Sequence, residues 1–231
     1  MKPLIIANWK MNPSTAKETK QLFKEVLGAI KKSKKADVLI AAPFVWWPFF
    51  KKAKLCAQNC FWEEKGPYTG EISPKMIKDL GVDYVIIGHS ERRNYFNETD
   101  EIINKKLKSA LNAGLIPILC VGERKGEDAE EVINKQLGED LNGIENCKLG
   151  IEKIIIAYEP VWAIGTGDFC ESCDAEKVLL FIKTKYSNPI LYGGSVDSKN
   201  FQNYIDIGFN GLLVGGASLN PKEFTKIIEI A

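Results

Sequence analysis

The chain has 231 residues, 45% of them apolar and 26% charged, which is the balance of a globular protein able to bury a core as one domain over residues 1–231. A formal net charge of +1 gives no push toward nucleic acid or a membrane surface, and no stretch approaches the ~18 apolar residues of a membrane span. The opening segment, Met1-Lys2-Pro3-Leu4-Ile5-Ile6-Ala7-Asn8, has too few apolar residues for a signal peptide, so the cytoplasm is the expected compartment.

Short β-rich runs alternate with helical patterns along the whole chain. Strands are expected at residues 4–8, 37–42, 55–59, 84–88, 115–120, 154–159, 189–193 and 211–214. Most are continuously apolar rather than alternating, as parallel strands covered on both faces should be. Between and after them, helices are expected at residues 15–31, 45–52, 74–80, 100–113, 128–141, 174–185, 198–205 and 221–230. Several open on Ser, Thr or Asp, which can cap free backbone N–H groups, and Leu80-Gly81 and Ala113-Gly114 have the form of helix stops. Lys31, Lys32, Lys34 and Lys35 fit a solvated helix end. Eight strands alternating with eight helices point to a closed (β/α)8 barrel. An open doubly wound sheet is the competing architecture, but no Gly-x-Gly-x-x-Gly follows the first strand.

In such a barrel the chemistry is built on the loops after the strand C-termini. Those ends carry Asn8-Trp9-Lys10, Gln58-Asn59, His89, Glu91, Cys120, Glu159, Ser195 and Gly215-Gly216. His89 is the only histidine of the chain and stands between an apolar strand and a helix start. The positive end of a helix disfavours imidazolium there, so a neutral ring can donate a hydrogen bond to a carbonyl oxygen. Glu159 closes an apolar run, where partial desolvation makes a carboxylate a stronger base. Lys10 can hold a phosphate or a developing negative charge. Gly165-Thr166-Gly167, Gly193-Gly194-Ser195 and Gly215-Gly216-Ala217 offer backbone N–H groups to an anion after the sixth, seventh and eighth strands. Only three of the 31 basic residues are arginine: Arg92, Arg93 and Arg124, all just past strand ends, where a planar fork suits carboxylate or phosphate. There is no carboxylate–histidine cluster for a metal and no Ser-His-Asp set, so the rim reads as a site for proton transfer on a small anionic substrate.

The six cysteines, Cys56, Cys60, Cys120, Cys147, Cys170 and Cys173, are scattered and do not form a secreted disulfide framework. Cys170-Glu171-Ser172-Cys173 has the spacing of a metal or redox pair, but a single pair is weak evidence and a structural use is favoured.

Taken in order, several motifs resemble the triosephosphate isomerase family nearly end to end. They are Ala7-Asn8-Trp9-Lys10-Met11-Asn12, the stretch from Gln58-Asn59 to Thr69-Gly70-Glu71, and the Gly88-His89-Ser90-Glu91-Arg92-Arg93 turn. Tyr158-Glu159-Pro160-Val161-Trp162, Tyr192-Gly193-Gly194-Ser195 and Leu213-Val214-Gly215-Gly216-Ala217-Ser218 complete the set. The resemblance implies a single-domain (β/α)8 TIM barrel that interconverts dihydroxyacetone phosphate and glyceraldehyde 3-phosphate, a step of glycolysis and gluconeogenesis. It implies Glu159 as the base, His89 as the proton shuttle and electrophile, and Lys10 and Asn8 as charge stabilisers. Glu91 would support the site from behind, and Ile164 and Leu213 would press on Glu159. Residues 160–167 would form a lid, and Gly165, Ser195, Gly215 and Gly216 would bind the phosphate through backbone N–H groups. No cofactor or metal is implied. A homodimer is, with the loop from Glu63 to Ser73 reaching into the partner and Thr69 lying near the neighbour's site. Two stretches, residues 146–154 and 168–189, are shorter than is usual in the family. The trailing hinge of the lid reads Asp168-Phe169-Cys170, a departure from its pattern. Two other readings are a barrel isomerase of larger sugar phosphates and a non-catalytic barrel that binds a phosphate ligand.

Overall fold

A computed structural model describes residues 2–33, 35–50 and 53–230. Lys34 of the lysine cluster, and Lys51 and Lys52 at the end of the helix expected over 45–52, lie outside them. Eight parallel strands run β1 (Leu4–Asn8), β2 (Asp37–Ala41), β3 (Cys56–Ala57), β4 (Tyr84–Ile87), β5 (Ile116–Val121), β6 (Ile155–Tyr158), β7 (Ile190–Tyr192) and β8 (Gly211–Val214). Their order in the sheet is β2-β1-β8-β7-β6-β5-β4-β3. The barrel closes between β2 and β3 through an Ile40–Leu55 bridge, with Ile40 N–H donating to the Lys54 carbonyl at 3.0 Å.

Side-chain alternation divides the strands between two cores. Ile6, Leu39, Ile86, Ile118, Leu191 and Leu213 point inward and fill the barrel with Ala41, Cys56, Cys120, Ile155 and Ala157. Their neighbours, such as Ile5, Val38, Val85, Leu119 and Ile156, point outward and pack under the helices. Each aliphatic side chain fully buried in this way contributes roughly 1.5–3 kcal/mol.

The α-helices among the described residues are α1 (Ala16–Lys32), α2 (Pro74–Asp79), α3 (Ser90–Tyr95), α4 (Asp100–Asn112), α5 (Ala129–Asp140), α6 (Ser172–Lys185), α7 (Phe201–Asp206) and α8 (Pro221–Ile230). Thr15 and Asp128 cap α1 and α5 as expected, accepting from the N–H groups of Glu18 and Glu131, whereas α2 and α4 are capped one residue before the expected openings, by Ser73 and Thr99, and α6 and α7 have no side-chain cap. Gly81 and Gly114 follow α2 and α4 with φ of 77° and 82°, the left-handed stop that glycine adopts freely.

The alternation is not as regular as the sequence suggests. Between β2 and β3 the expected α-helix is a 3-10 helix over Phe44–Phe49, with Pro48 inside it. Proline lacks the N–H an α-helix needs and clashes with the preceding turn. Between β4 and β5 there are two α-helices, because the six-residue α3 precedes the expected α4. The third strand shrinks from the expected 55–59 to two residues. Beyond it the Gln58 side chain takes over the cross-linking, donating from Nε2 to the carbonyls of Ala41 at 2.8 Å and Lys10 at 2.9 Å.

Candidate active site

The C-terminal rim encloses a cavity of about 730 Å³ lined by Asn8, Lys10, His89, Glu159, Ile164, Gly165, Ser195, Leu213, Gly215 and Gly216 among others. Sequence positions as far apart as 8 and 216 therefore meet in one place, because each follows a strand of the same barrel.

His89 caps α3. Its Nδ1 accepts the Glu91 N–H at 3.2 Å. A ring nitrogen that accepts carries no proton, so the neutral ring has its proton on Nε2. That nitrogen faces the cavity and lies 3.5 Å from Glu159 Oε1. Both side chains are about 95% buried, His89 at 5% exposure and Glu159 at 3%. Glu159 follows β6, its N–H donating to the Val121 carbonyl at 2.8 Å, and its Oε2 has no hydrogen-bond partner. The neighbouring strand must be bare for the carboxylate to fit: a Cβ on Gly193 would stand 2.6 Å from Glu159 Cγ. Behind Glu159 is the Cys120 thiol, pushed well above its ordinary pKa by burial and then by the nearby carboxylate.

Lys10 sits in the left-handed region at φ 52°, an uncommon conformation for a residue with a Cβ. Its N–H donates to Asn8 Oδ1 at 3.1 Å, and its ammonium donates to Glu91 Oε1 at 2.6 Å. The lysine stem crosses Gly215, where a Cβ would come within 3.4 Å of Lys10 Cε. The glycine-rich end of the cavity is formed by Gly165, by the Gly193–Ser195 turn, and by Gly215 with the 3-10 helix Gly216–Leu219. Ser195 Oγ donates to the Ala163 carbonyl, tying this turn to the leading half of the 160–167 segment.

Not every residue on the expected rim lines the cavity: Cys120 lies in the barrel core and Gln58 is bonded to backbone carbonyls, and two more face elsewhere. Trp9 is fully buried in the outer core, against the edge of Phe50, and Asn59 accepts from Lys106 Nζ at 2.8 Å. The arginines also leave the cavity. Arg92 and Lys106 both bind Glu98, and Arg93 binds Asp100 and Asp140. Arg124 donates to Asn94 Oδ1 at 2.7 Å. Of the fork's two expected partners, carboxylate and phosphate, Arg92 and Arg93 take internal carboxylates.

Other contacts are not suggested by the sequence. Glu123 accepts from Trp162 Nε1 at 2.8 Å and Tyr158 Oη at 3.4 Å, and burial raises its pKa. Tyr204 donates to the Cys170 carbonyl, and Lys199, Asn200 and Asn203 extend the cavity beyond Ser195. Their partners lie 34 to 39 residues away or across the rim, so no local pattern marks them. Cys170 is buried and Cys173 exposed, both are free thiols, and no group of three or more metal-binding side chains occurs among the described residues.

An eight-stranded barrel with a carboxylate, an imidazole and an ammonium around a glycine-lined cavity belongs to the class of (β/α)8 enzymes that act on small anions. The triosephosphate isomerase family model matches residues 3–231. Proteins named triosephosphate isomerase from Dictyoglomus thermophilum, Alkaliphilus metalliredigens and Trichodesmium erythraeum are 49%, 46% and 44% identical to this chain, with 98% of each chain covered. The chain belongs to the triosephosphate isomerase family.

Proposed function

We propose that this enzyme interconverts dihydroxyacetone phosphate and glyceraldehyde 3-phosphate through an enediolate, with Glu159 and His89 moving the protons. The observation that carries the assignment is the Nε2–Oε1 approach of 3.5 Å across the cavity, with Nδ1 already committed as an acceptor. Glu159 removes the proton from the carbon beside the carbonyl, and the C–H electron pair moves toward the carbonyl oxygen. His89 supplies the Nε2 proton to that oxygen and recovers one from the neighbouring hydroxyl. Glu159 then returns its proton to the adjacent carbon, which leaves protons and electrons balanced over the cycle.

Lys10, held by Asn8 and Glu91, places a cation where the negative charge develops. Backbone N–H groups of Gly165, Ser195, Gly215 and Gly216 receive the phosphate. Ile164 and Leu213 line the cavity beside Glu159 and keep its surroundings apolar. Closing the 160–167 lid excludes water and restrains phosphate loss from the enediolate. The intact Lys10, His89 and Glu159 set gives no support to a retired, ligand-binding barrel.

The working unit is a homodimer in this reading. The segment from Glu63 to Glu71 is exposed, and it is folded upon itself by Phe61, which stacks with Trp62 at 4.0 Å and meets Tyr68 at 4.7 Å. Exposed apolar side chains that a partner can cover are Met11, Val45, Tyr95 and Phe96. Thr69 at the exposed turn would approach the partner's Asn8 and Lys10. Cytoplasmic residence agrees with the free thiols, and no described helix is long and apolar enough to cross a membrane.

A coupled assay with glyceraldehyde 3-phosphate on wild type and Glu159→Gln tests the assignment. The wild type should turn over, and the variant should lose about two to four orders of magnitude, the usual scale for a positioned base. Activity retained within tenfold would remove Glu159 from the role of base.

A further inference from the structure

The main chain that carries Glu159 leans on the end of β5. Glu159 N–H donates to the Val121 carbonyl at 2.8 Å, and two residues on, Val161 N–H donates to the Glu123 carbonyl at 2.9 Å. Gly122 stands between those two bonds and is buried. A Cβ there would come within 1.9 Å of the Glu159 carbonyl oxygen, so only glycine lets the two main chains lie this close. A movement of Gly122 is therefore passed directly to the backbone of the base.

On its other side the end of β5 runs past its neighbour. β4 pairs with it only as far as Ile87 and Leu119, and then turns away at Gly88, whose φ is 77°. The main-chain groups of β5 beyond that point need other partners, since a buried N–H or C=O without one is costly. Arg93 Nη2 donates to the Cys120 carbonyl at 3.4 Å. Gln136 serves Gly122: its Oε1 accepts the Gly122 N–H at 2.9 Å, and its Nε2 donates to the Gly122 carbonyl at 3.3 Å. One carboxamide thus meets the donor and the acceptor of one residue, in place of a neighbouring strand. Gln136 lies on α5 between the buried Ile133 and Leu137, one turn before Asp140, whose carboxylate holds Arg93. The same helix secures the end of β5 twice, at Gly122 directly and at Cys120 through Arg93.

We infer that Gln136 is a positioning residue for the isomerisation: by holding Gly122 through both of its main-chain groups, it sets the backbone from which the Glu159 carboxylate reaches the substrate. The inference rests on the function proposed above. Gln136 does not line the cavity, so it acts through Gly122 and not on the substrate. A base works from a near-attack position, and a displacement near 1 Å costs about a hundredfold in rate. The Gly193–Ser195 turn and Gly215-Gly216 follow other strands, β7 and β8, so the rate should depend on Gln136 and substrate affinity should not.

The test uses the full-length enzyme as wild type, Gln136→Met, Gln136→Glu, Glu159→Gln and Gln136→Met/Glu159→Gln. Methionine keeps the length of the side chain and removes both bonds. Glutamate sets a second acceptor against the Gly122 carbonyl. Turnover per folded molecule, KM for glyceraldehyde 3-phosphate and the urea midpoint are measured on each. We expect Gln136→Met to lower kcat about tenfold, the scale of a partial displacement, with KM kept within about twofold. Gln136→Glu should lose at least as much. With Glu159 already replaced, Gln136→Met should cost less than about twofold, because residues that act as a unit are not additive. A purely structural role would lower the urea midpoint and leave kcat per folded molecule at the wild-type value. That result in Gln136→Met, or in Gln136→Glu where the methionine protein does not fold, overturns the inference. So does a loss that persists in full beside Glu159→Gln. A wild type that does not isomerise triose phosphates overturns the functional reading itself, and this inference with it.

Discussion

His89 and Arg93 leave the same short turn in opposite directions, and their surroundings differ in kind. His89 faces a cavity, has one fixed hydrogen bond at Nδ1, and leaves Nε2 beside a carboxylate whose second oxygen has no partner. Arg93 spends its donors on the protein's own groups: it donates to the Gly88 carbonyl at 2.9 Å, to Asp140 at 2.7 Å and to Asp100. Asp140 is fully buried at the end of α5, so this guanidinium joins three elements of the barrel wall. Polar groups that line the cavity, as His89 and Glu159 do, can act on a substrate. Groups whose partners are all internal fix the backbone that carries them. The Arg92–Glu98–Lys106 network, which also reaches Asn59, belongs with Arg93, and burial lowers the Lys106 pKa there.

The contrast predicts that rate and stability separate between the cavity side and the wall side of this region. Glu159→Gln should lose the two to four orders of magnitude given above with its urea midpoint unchanged. Arg93→Met should do the reverse, costing about 3–5 kcal/mol of stability by stranding a buried Asp140, while folded molecules keep most of their turnover. Urea denaturation and turnover per folded molecule check both, and Arg93→Met/Asp140→Leu should recover much of the stability. An Arg93→Met protein of full stability would break the comparison.

A smaller change, after β7, tests how tightly the Glu159 carboxylate is held. Gly193→Ala adds one methyl 2.6 Å from Glu159 Cγ, so the carboxylate must shift. Turnover should fall about a hundredfold, the scale of a displacement near 1 Å, with far-UV circular dichroism unaltered. Removing residues 65–68 should give a monomer of weak activity by sedimentation and assay; a dimer with full turnover would contradict the proposed role of the 63–73 loop. The smallest effect is expected at Cys170 and Cys173. One thiol is buried and the other exposed, and burial pushes the Cys170 thiol up to about 12, which suppresses the reactive thiolate. Mild oxidant should leave turnover as it was, in wild type and in Cys170→Ala alike; a loss reversed by reductant in wild type alone would show a redox switch.

Much of the fold was legible because parallel strands buried on both faces leave continuous apolar runs, and β1 and β8 fall at the residues expected. The exceptions have local causes. Pro48 turns the second helical segment into a 3-10 helix, and the Gln58 side chain replaces the last backbone pairing of β3. Six-residue α3 is too short to show a helical period. In the site, His89, Glu159 and Lys10 were legible from residue type and position at strand ends. The partners of Glu123 and Tyr204 were not, since those bonds join loops that only the closed barrel brings together.

The central claim is that His89 enters the reaction neutral, with its proton on Nε2 and pointed at Glu159. As the only histidine, it gives imidazole nitrogen signals that need no assignment by mutation. The deciding measurement is a long-range nitrogen–proton correlation spectrum of the uniformly ¹⁵N-labelled enzyme near neutral pH. The account predicts a protonated Nε2 and a bare Nδ1. A proton on Nδ1, or on both nitrogens, would contradict it.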